Sequence, residues 1–199
     1  MKKGLDILVA AAFATLFLAS CSQSPISPNG SGNLIQNSDL RSGNNPSLAG
    51  WKINDTAWVK VVANAPPGGG TWSLWLAPMF GPEPGGMART FVTGQSGEGV
   101  YTLTCWERNF SGWYWGSVSL AQFRGGREIS YRSLDMKDTS WTEFTLEDTL
   151  FLQPSDTLGI ELTAPSLIYA PEYGAGYVDT VSGGACFNQL SLQKTETTR

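Results

Sequence analysis

No stretch of roughly a dozen residues in this chain sustains a helical period. In its place come short alternating, β-branched and aromatic runs, broken about every ten residues by glycine, proline, asparagine and serine. A chain of this kind buries its apolar side chains by stacking sheets. Strands are expected near Ala57–Val62, Trp72–Ala77, Ala88–Thr93, Val100–Glu107, Tyr114–Phe123, Glu128–Ser133, Thr142–Leu146, Leu158–Thr163 and Ala185–Gln193. Pro66 to Gly70, Gly81 to Gly86 and Gly94 to Gly97 read as loops, and Gly125-Gly126 as a two-residue hairpin turn. Strands at this spacing predict an all-β fold, a two-sheet antiparallel β-sandwich of jelly-roll type, without repeats or a second domain.

The chain opens with Met1-Lys2-Lys3, an apolar run from Leu5 to Ala19, and Leu18-Ala19-Ser20-Cys21. A charged start, a short hydrophobic middle and small residues at a cut site are the anatomy of a secretory signal, and the run is short for a membrane span. The cysteine after Leu-Ala-Ser resembles the lipobox of bacterial lipoproteins. The resemblance implies that residues 1–20 are a signal peptide and that Cys21 becomes the acylated amino terminus. The mature protein is then attached to a membrane through lipid without spanning it. Ser22 stands where retention in the inner membrane usually wants Asp, so the resemblance points to the cell envelope and its outer membrane, with the leaflet open. Residues 21–33, rich in Ser, Pro, Gly and Asn, read as a flexible tether. The sandwich is expected over residues 34–194, with a frayed tail at 195–199.

Losing Lys2, Lys3 and Asp6 with the leader takes the formal charge from −4 to −5. An acidic chain with no basic cluster argues against nucleic acid as a partner. The chain contains no histidine, which removes the commonest general base and the commonest zinc ligand. No Asp or Glu sits in a recognisable catalytic motif. The expectation is a protein that is not an enzyme, with no cofactor and no metal.

Asn33-Leu34-Ile35-Gln36-Asn37-Ser38-Asp39-Leu40-Arg41-Ser42-Gly43, followed by Gly50-Trp51, resembles the opening of carbohydrate-binding modules with the galactose-binding-like jelly roll. Gly99-Val100-Tyr101-Thr102-Leu103-Thr104 and Cys186-Phe187-Asn188-Gln189-Leu190-Ser191-Leu192 resemble a middle strand and the last strand of the same family. The resemblance implies a non-catalytic glycan-binding domain. Its usual structural calcium would need carboxylates at the positions of Arg41 and Asn188, and a hard cation is poorly served by a guanidinium and an amide. Arg41 is expected to fill the place of the ion and reach Asn188 or a nearby carbonyl. The family's strand order also brings Cys105 and Cys186 close. With Tyr101, Leu103 and Cys105 on one face, and Cys186 in phase with Leu190 and Leu192, the two cysteines are expected either to form a disulfide or to remain neighbouring buried thiols.

Trp106 lies on the opposite phase and should face away from the core. With Trp113 and Trp115 it would form an aromatic platform for a sugar ring, with Arg108, Asn109 and Glu107 as polar neighbours on the rim. The competing reading is that these tryptophans pack, as Trp51, Trp58, Trp72, Trp75 and Trp141 are expected to do. Three readings follow: a lipid-anchored glycan-binding protein, an envelope lipoprotein that uses the same sandwich to dock a protein, and, last in order, a hydrolase working with two carboxylates.

Overall fold

The structure is a computed structural model, which describes residues 32–80, 85–110, 116–164, 166–167 and 184–195. The expected leader, Cys21, most of the tether, Trp113 and Trp115 lie outside the described residues. Fourteen strands make up the regular structure there: β1 Arg41–Ser42, β2 Asn45–Pro46, β3 Trp51–Ile53, β4 Val59–Val62, β5 Ser73–Leu76, β6 Met79–Phe80, β7 Met87–Val92, β8 Gly97–Asn109, β9 Gly116–Arg124, β10 Arg127–Met136, β11 Thr142–Leu152, β12 Thr157–Thr163, β13 Ser166–Leu167 and β14 Ala185–Thr195. The first large sheet has the order β10-β9-β12-β7-β3 and the second β11-β8-β14-β5-β4, both antiparallel throughout. Apart from the β4–β5 and β9–β10 pairs, successive strands of the two large sheets alternate between them, as in a jelly roll.

The core is the layer between the two sheets. Along β8 the side chains alternate without a slip: Tyr101, Leu103 and Cys105 point inward, while Thr102, Thr104, Trp106 and Arg108 point out. Leu158, Ile160 and Leu162 of β12 meet them from the other sheet, together with Val118 and Leu120 of β9. Gly125 and Gly126, at φ 57° and 79°, join β9 to β10 in a turn that side-chain-bearing residues resist. Asp156, beyond the end of β11, accepts from Arg124 Nε and Nη2, each at 2.8 Å, and from Gln122 Nε2 at 2.7 Å. These bonds hold its carboxyl well below the usual carboxylate range.

The two ends of the domain meet at β14. Leu34 donates its N–H to Leu192 O at 2.8 Å, and the Asn33 amide spans the carbonyl of Leu190 and the N–H of Leu192. Two expectations about this region are corrected. Arg41 does not reach Asn188: its guanidinium pairs with Asp39 on the surface, while Asn188 is buried and donates to Trp72 O at 2.7 Å and Ser73 Oγ at 3.0 Å. Cys105 and Cys186 are free thiols and do not form the disulfide considered above. The cause is a bulge in β14 between Asn188 and Ser191, where Gln189 takes φ 49°. Beyond it Leu190 and Leu192 face the core; before it the inward phase belongs to Ala185 and Phe187. Cys186 is thereby turned to the outer face of the second sheet, against Trp75 and Ala77. Cys105 stays in the core, with its Sγ 3.9 Å from Met136 Sδ. Burial pushes both thiols up to about 12, so neither forms a thiolate readily.

Candidate functional site

The outer face of the second sheet is roofed at one end, over β5 and the start of β14, and open along β11. Trp75, Ala77 and Cys186 form a small apolar cluster there, with Trp58, Val62, Phe110 and Trp141 packed against it. Most tryptophans expected to pack therefore do so: Trp51 and Trp75 are buried, and Trp58 and Trp72 lean on apolar clusters. At the margin of this roof a depression of about 400 Å³ remains open, lined by Trp106, Arg108, Trp141, Pro67, Thr139 and Ser140. The structure brings Trp106 and Arg108 together, since β8 runs on to Asn109 and both lie on its outward phase, and Trp141 joins them from the segment before β11.

Asn109 does not take part. It is 1% exposed, and its amide nitrogen donates to the carbonyls of Met136 (3.0 Å) and Asp138 (3.2 Å), while Oδ1 accepts from Gly116 N–H at 3.0 Å. Glu107 is fully buried rather than on a rim. Both lie on the inward phase of β8, which the outward setting of Trp106 already implied. The Glu107 carboxyl has no hydrogen-bond partner among the described residues. Burial is the main cause that raises it to about 8, and Asp138 adds to the rise. The two nearby donors that partly oppose the shift are already engaged, Gly116 N–H with Asn109 and the Asn109 amide with its two carbonyls.

The outer face of the first sheet is built differently. Four strands place Tyr131, Ala121, Gly159 and Phe91 side by side in register, and the next row is Ser133, Ser119, Glu161, Arg89 and Lys52. The middle of the face is made of small residues. Tyr131 stands at one side, 53% exposed, with Ile129 near it at 49%. Phe91 of β7 stands at the other, and Phe123, two residues beyond Ala121 in β9, meets it edge to face with ring centres 6.0 Å apart. A Cβ on Gly159 would come within 2.8 Å of Phe123 Cε2 and 3.5 Å of Phe91 Cε1, so the rings close over the glycine. Lys52 Nζ and the Arg89 guanidinium lie 5.1 and 5.8 Å from the Phe91 and Phe123 ring centres. Arg89 Nε also donates to Glu161 Oε2 at 2.7 Å. Sequence reading missed this face because its members come from four strands and no run of them stands together. The only local signal was the outward phase of β10 and β12.

The fold is the jelly roll of carbohydrate-binding modules. The chain superposes on TmCBM61, solved with β-1,4-galactotriose, with a TM-score of 0.54 at 14% identity over 82% of this chain and 99% of that one. A family 16 carbohydrate-binding module gives 0.51 at 18% identity, over 80% of this chain and 99% of the other. The active domain of tailspike protein 4 of bacteriophage CBA120 gives 0.58 at 14% identity, over 82% of this chain; the chain spans only 22% of that much longer one. At such identities the likeness is one of fold. No protein-family model and no curated protein sequence matches the chain.

Proposed function

We propose that this protein binds glycans without transforming them, and that the outer face of the first sheet is where a sugar chain lies. The observation that carries the reading is the row that runs from half-exposed Tyr131 across small Ala121, with Ser119 beside it, to the Phe91–Phe123 pair whose rings cover Gly159. A pyranose presents C–H groups on its faces and hydroxyls around its rim. The aromatic side chains take the faces, and the Arg89–Glu161 pair beside them supplies charged donors and acceptors for the hydroxyls. The ion pair is partly buried, so both groups are held in place before a ligand arrives. Support also comes from the fold's occurrence in modules described as carbohydrate-binding, one of them solved with a galactotriose.

The second part of the proposal concerns location. The Leu18-Ala19-Ser20-Cys21 sequence supports attachment of lipid at Cys21, which would hold the domain at the envelope, in the outer membrane, on a tether of about a dozen residues. The protein would then keep a polysaccharide close to the cell.

The test of the glycan face is a titration with neutral oligosaccharides, β-1,4-galactotriose and xylohexaose, followed by calorimetry. Tyr131→Ala should weaken binding about tenfold or more while leaving the melting temperature nearly unchanged, since Tyr131 is half exposed. Unaltered affinity in that variant, or no binding by any neutral oligosaccharide, would overturn the assignment.

A further inference from the structure

The depression on the second sheet has a chemistry of its own. Two indoles, Trp106 and Trp141, and the ring of Pro67 supply its apolar walls, and Arg108 is the one charged residue among the described residues that line it. Arg108 is held in place from two sides. Its Nε donates to Thr139 O at 3.3 Å, and its guanidinium lies 5.5 Å from the centre of the Phe110 ring. Neither restraint uses the two Nη amino groups, which have no partner among the described residues. A guanidinium pinned through Nε presents a planar pair of donors, and the acceptor that matches it is a carboxylate taking both at once. The volume, about 400 Å³, lies within the roughly 300–1,000 Å³ of small-ligand pockets.

We infer that this depression is a second binding site, separate from the face that carries Tyr131, and that it takes a sugar bearing a carboxylate, a uronic-acid unit of an acidic polysaccharide. The ring stacks on an indole and the carboxylate receives the Arg108 fork. Thr139 and Ser140 hydroxyls serve the remaining ring oxygens. Glu143, opposite Trp106 in the β8–β11 ladder, shares the outward phase and limits how strongly an anion is held. The two sites stand on outer faces of different sheets, so one protein could engage a neutral and an acidic chain together.

The experiment uses the full-length chain in detergent, with trigalacturonic acid and β-1,4-galactotriose as probes, read by tryptophan fluorescence and calorimetry. Trigalacturonic acid should change the tryptophan emission, and its affinity should fall as salt rises. Arg108→Gln should weaken it at least tenfold. Arg108→Lys should recover little of this, because an ammonium keeps the charge but lacks the fork. Glu143→Gln should tighten binding, and Tyr131→Ala should leave it unchanged. Melting curves of each variant separate loss of ligand from loss of fold. Equal affinity for the acidic and neutral trimers, or retention of the acidic one by folded Arg108→Gln, overturns the inference. Loss of trigalacturonic acid binding in Tyr131→Ala places that ligand on the other face and overturns it as well. Failure of the neutral trimer alone counts against the Tyr131 face and leaves this site standing.

Discussion

A carboxyl with no exposed surface and no partner among the described residues, as Glu107 has, ties the stability of the sandwich to pH. Its folded value of about 8 lies above the ordinary 4.5. The folded chain therefore keeps a proton that the unfolded chain has lost throughout the interval between those values. Stability from this residue is complete below about 4.5, declines as pH rises toward 8, and levels off above it. Glu107→Gln keeps the shape of the neutral acid and cannot ionise. Its melting temperature should match that of the parent near pH 5 and exceed it by about 5 °C or more near pH 9. A constant difference across the pH series would mean that Glu107 ionises normally. Residues of this kind are half legible in sequence. The period of two along β8 assigned Trp106 to the outside and Cys105 to the inside, and the structure agrees. The same period sends Glu107 and Asn109 inward; treating them as rim residues followed their polarity instead of their phase. Polarity says what a side chain prefers, whereas an unbroken ladder says where it must point.

Among elements, the strands were legible wherever alternation ran for five residues or more. β11 continues to Leu152, beyond the expected end at Leu146, and carries Glu147 and Asp148 within it. They are tolerated because β11 is an edge strand, where Glu147 accepts from Thr102 Oγ1 at 3.3 Å and Asp148 stands 3.8 Å from Arg132. β3, three residues long, offered too few positions for any period to show. The bulge in β14 was invisible because Gln189 is an unremarkable residue for a strand, yet it reverses the faces of everything before it and so separates the two cysteines. β10, the edge of the first sheet, carries Arg127, Glu128, Arg132 and Asp135 and a bulge between Glu128 and Ser130. Charges and an irregular ladder discourage a second sheet from pairing there. In the middle of that sheet, β12 needs its glycine. Gly159→Ala puts a methyl against the Phe123 ring and should cost about 1–3 kcal/mol. It should also weaken binding of a neutral oligosaccharide by pushing the ring out of place. A melt and a titration on the same sample check both, and an unchanged affinity would show that Phe123 does not shape the ligand's path.

For the molecule as a whole, the two outward faces differ in make-up: tryptophans and Phe110 cover one end of the second sheet, and small residues occupy the middle of the first. The sandwich itself was readable from periodicity and punctuation, but the way four strands assemble the Tyr131 face was not, since no sequence window contains them together. The proposed attachment at Cys21 makes a prediction at this scale. Replacing Cys21 with serine should move the protein from the membrane fraction into the soluble one, as measured by fractionation and immunoblotting, and a variant that stays with membranes would remove lipid as the means of attachment. The bonding of Asn33 and Leu34 to Leu190 and Leu192 has a mechanical consequence. Strand β14 is the central one of its sheet, flanked by β8 and β5. Any tug delivered through the chain before Asn33 therefore enters at the middle of a five-stranded layer and is shared by ladders on both sides, so the sandwich resists being unzipped from an edge.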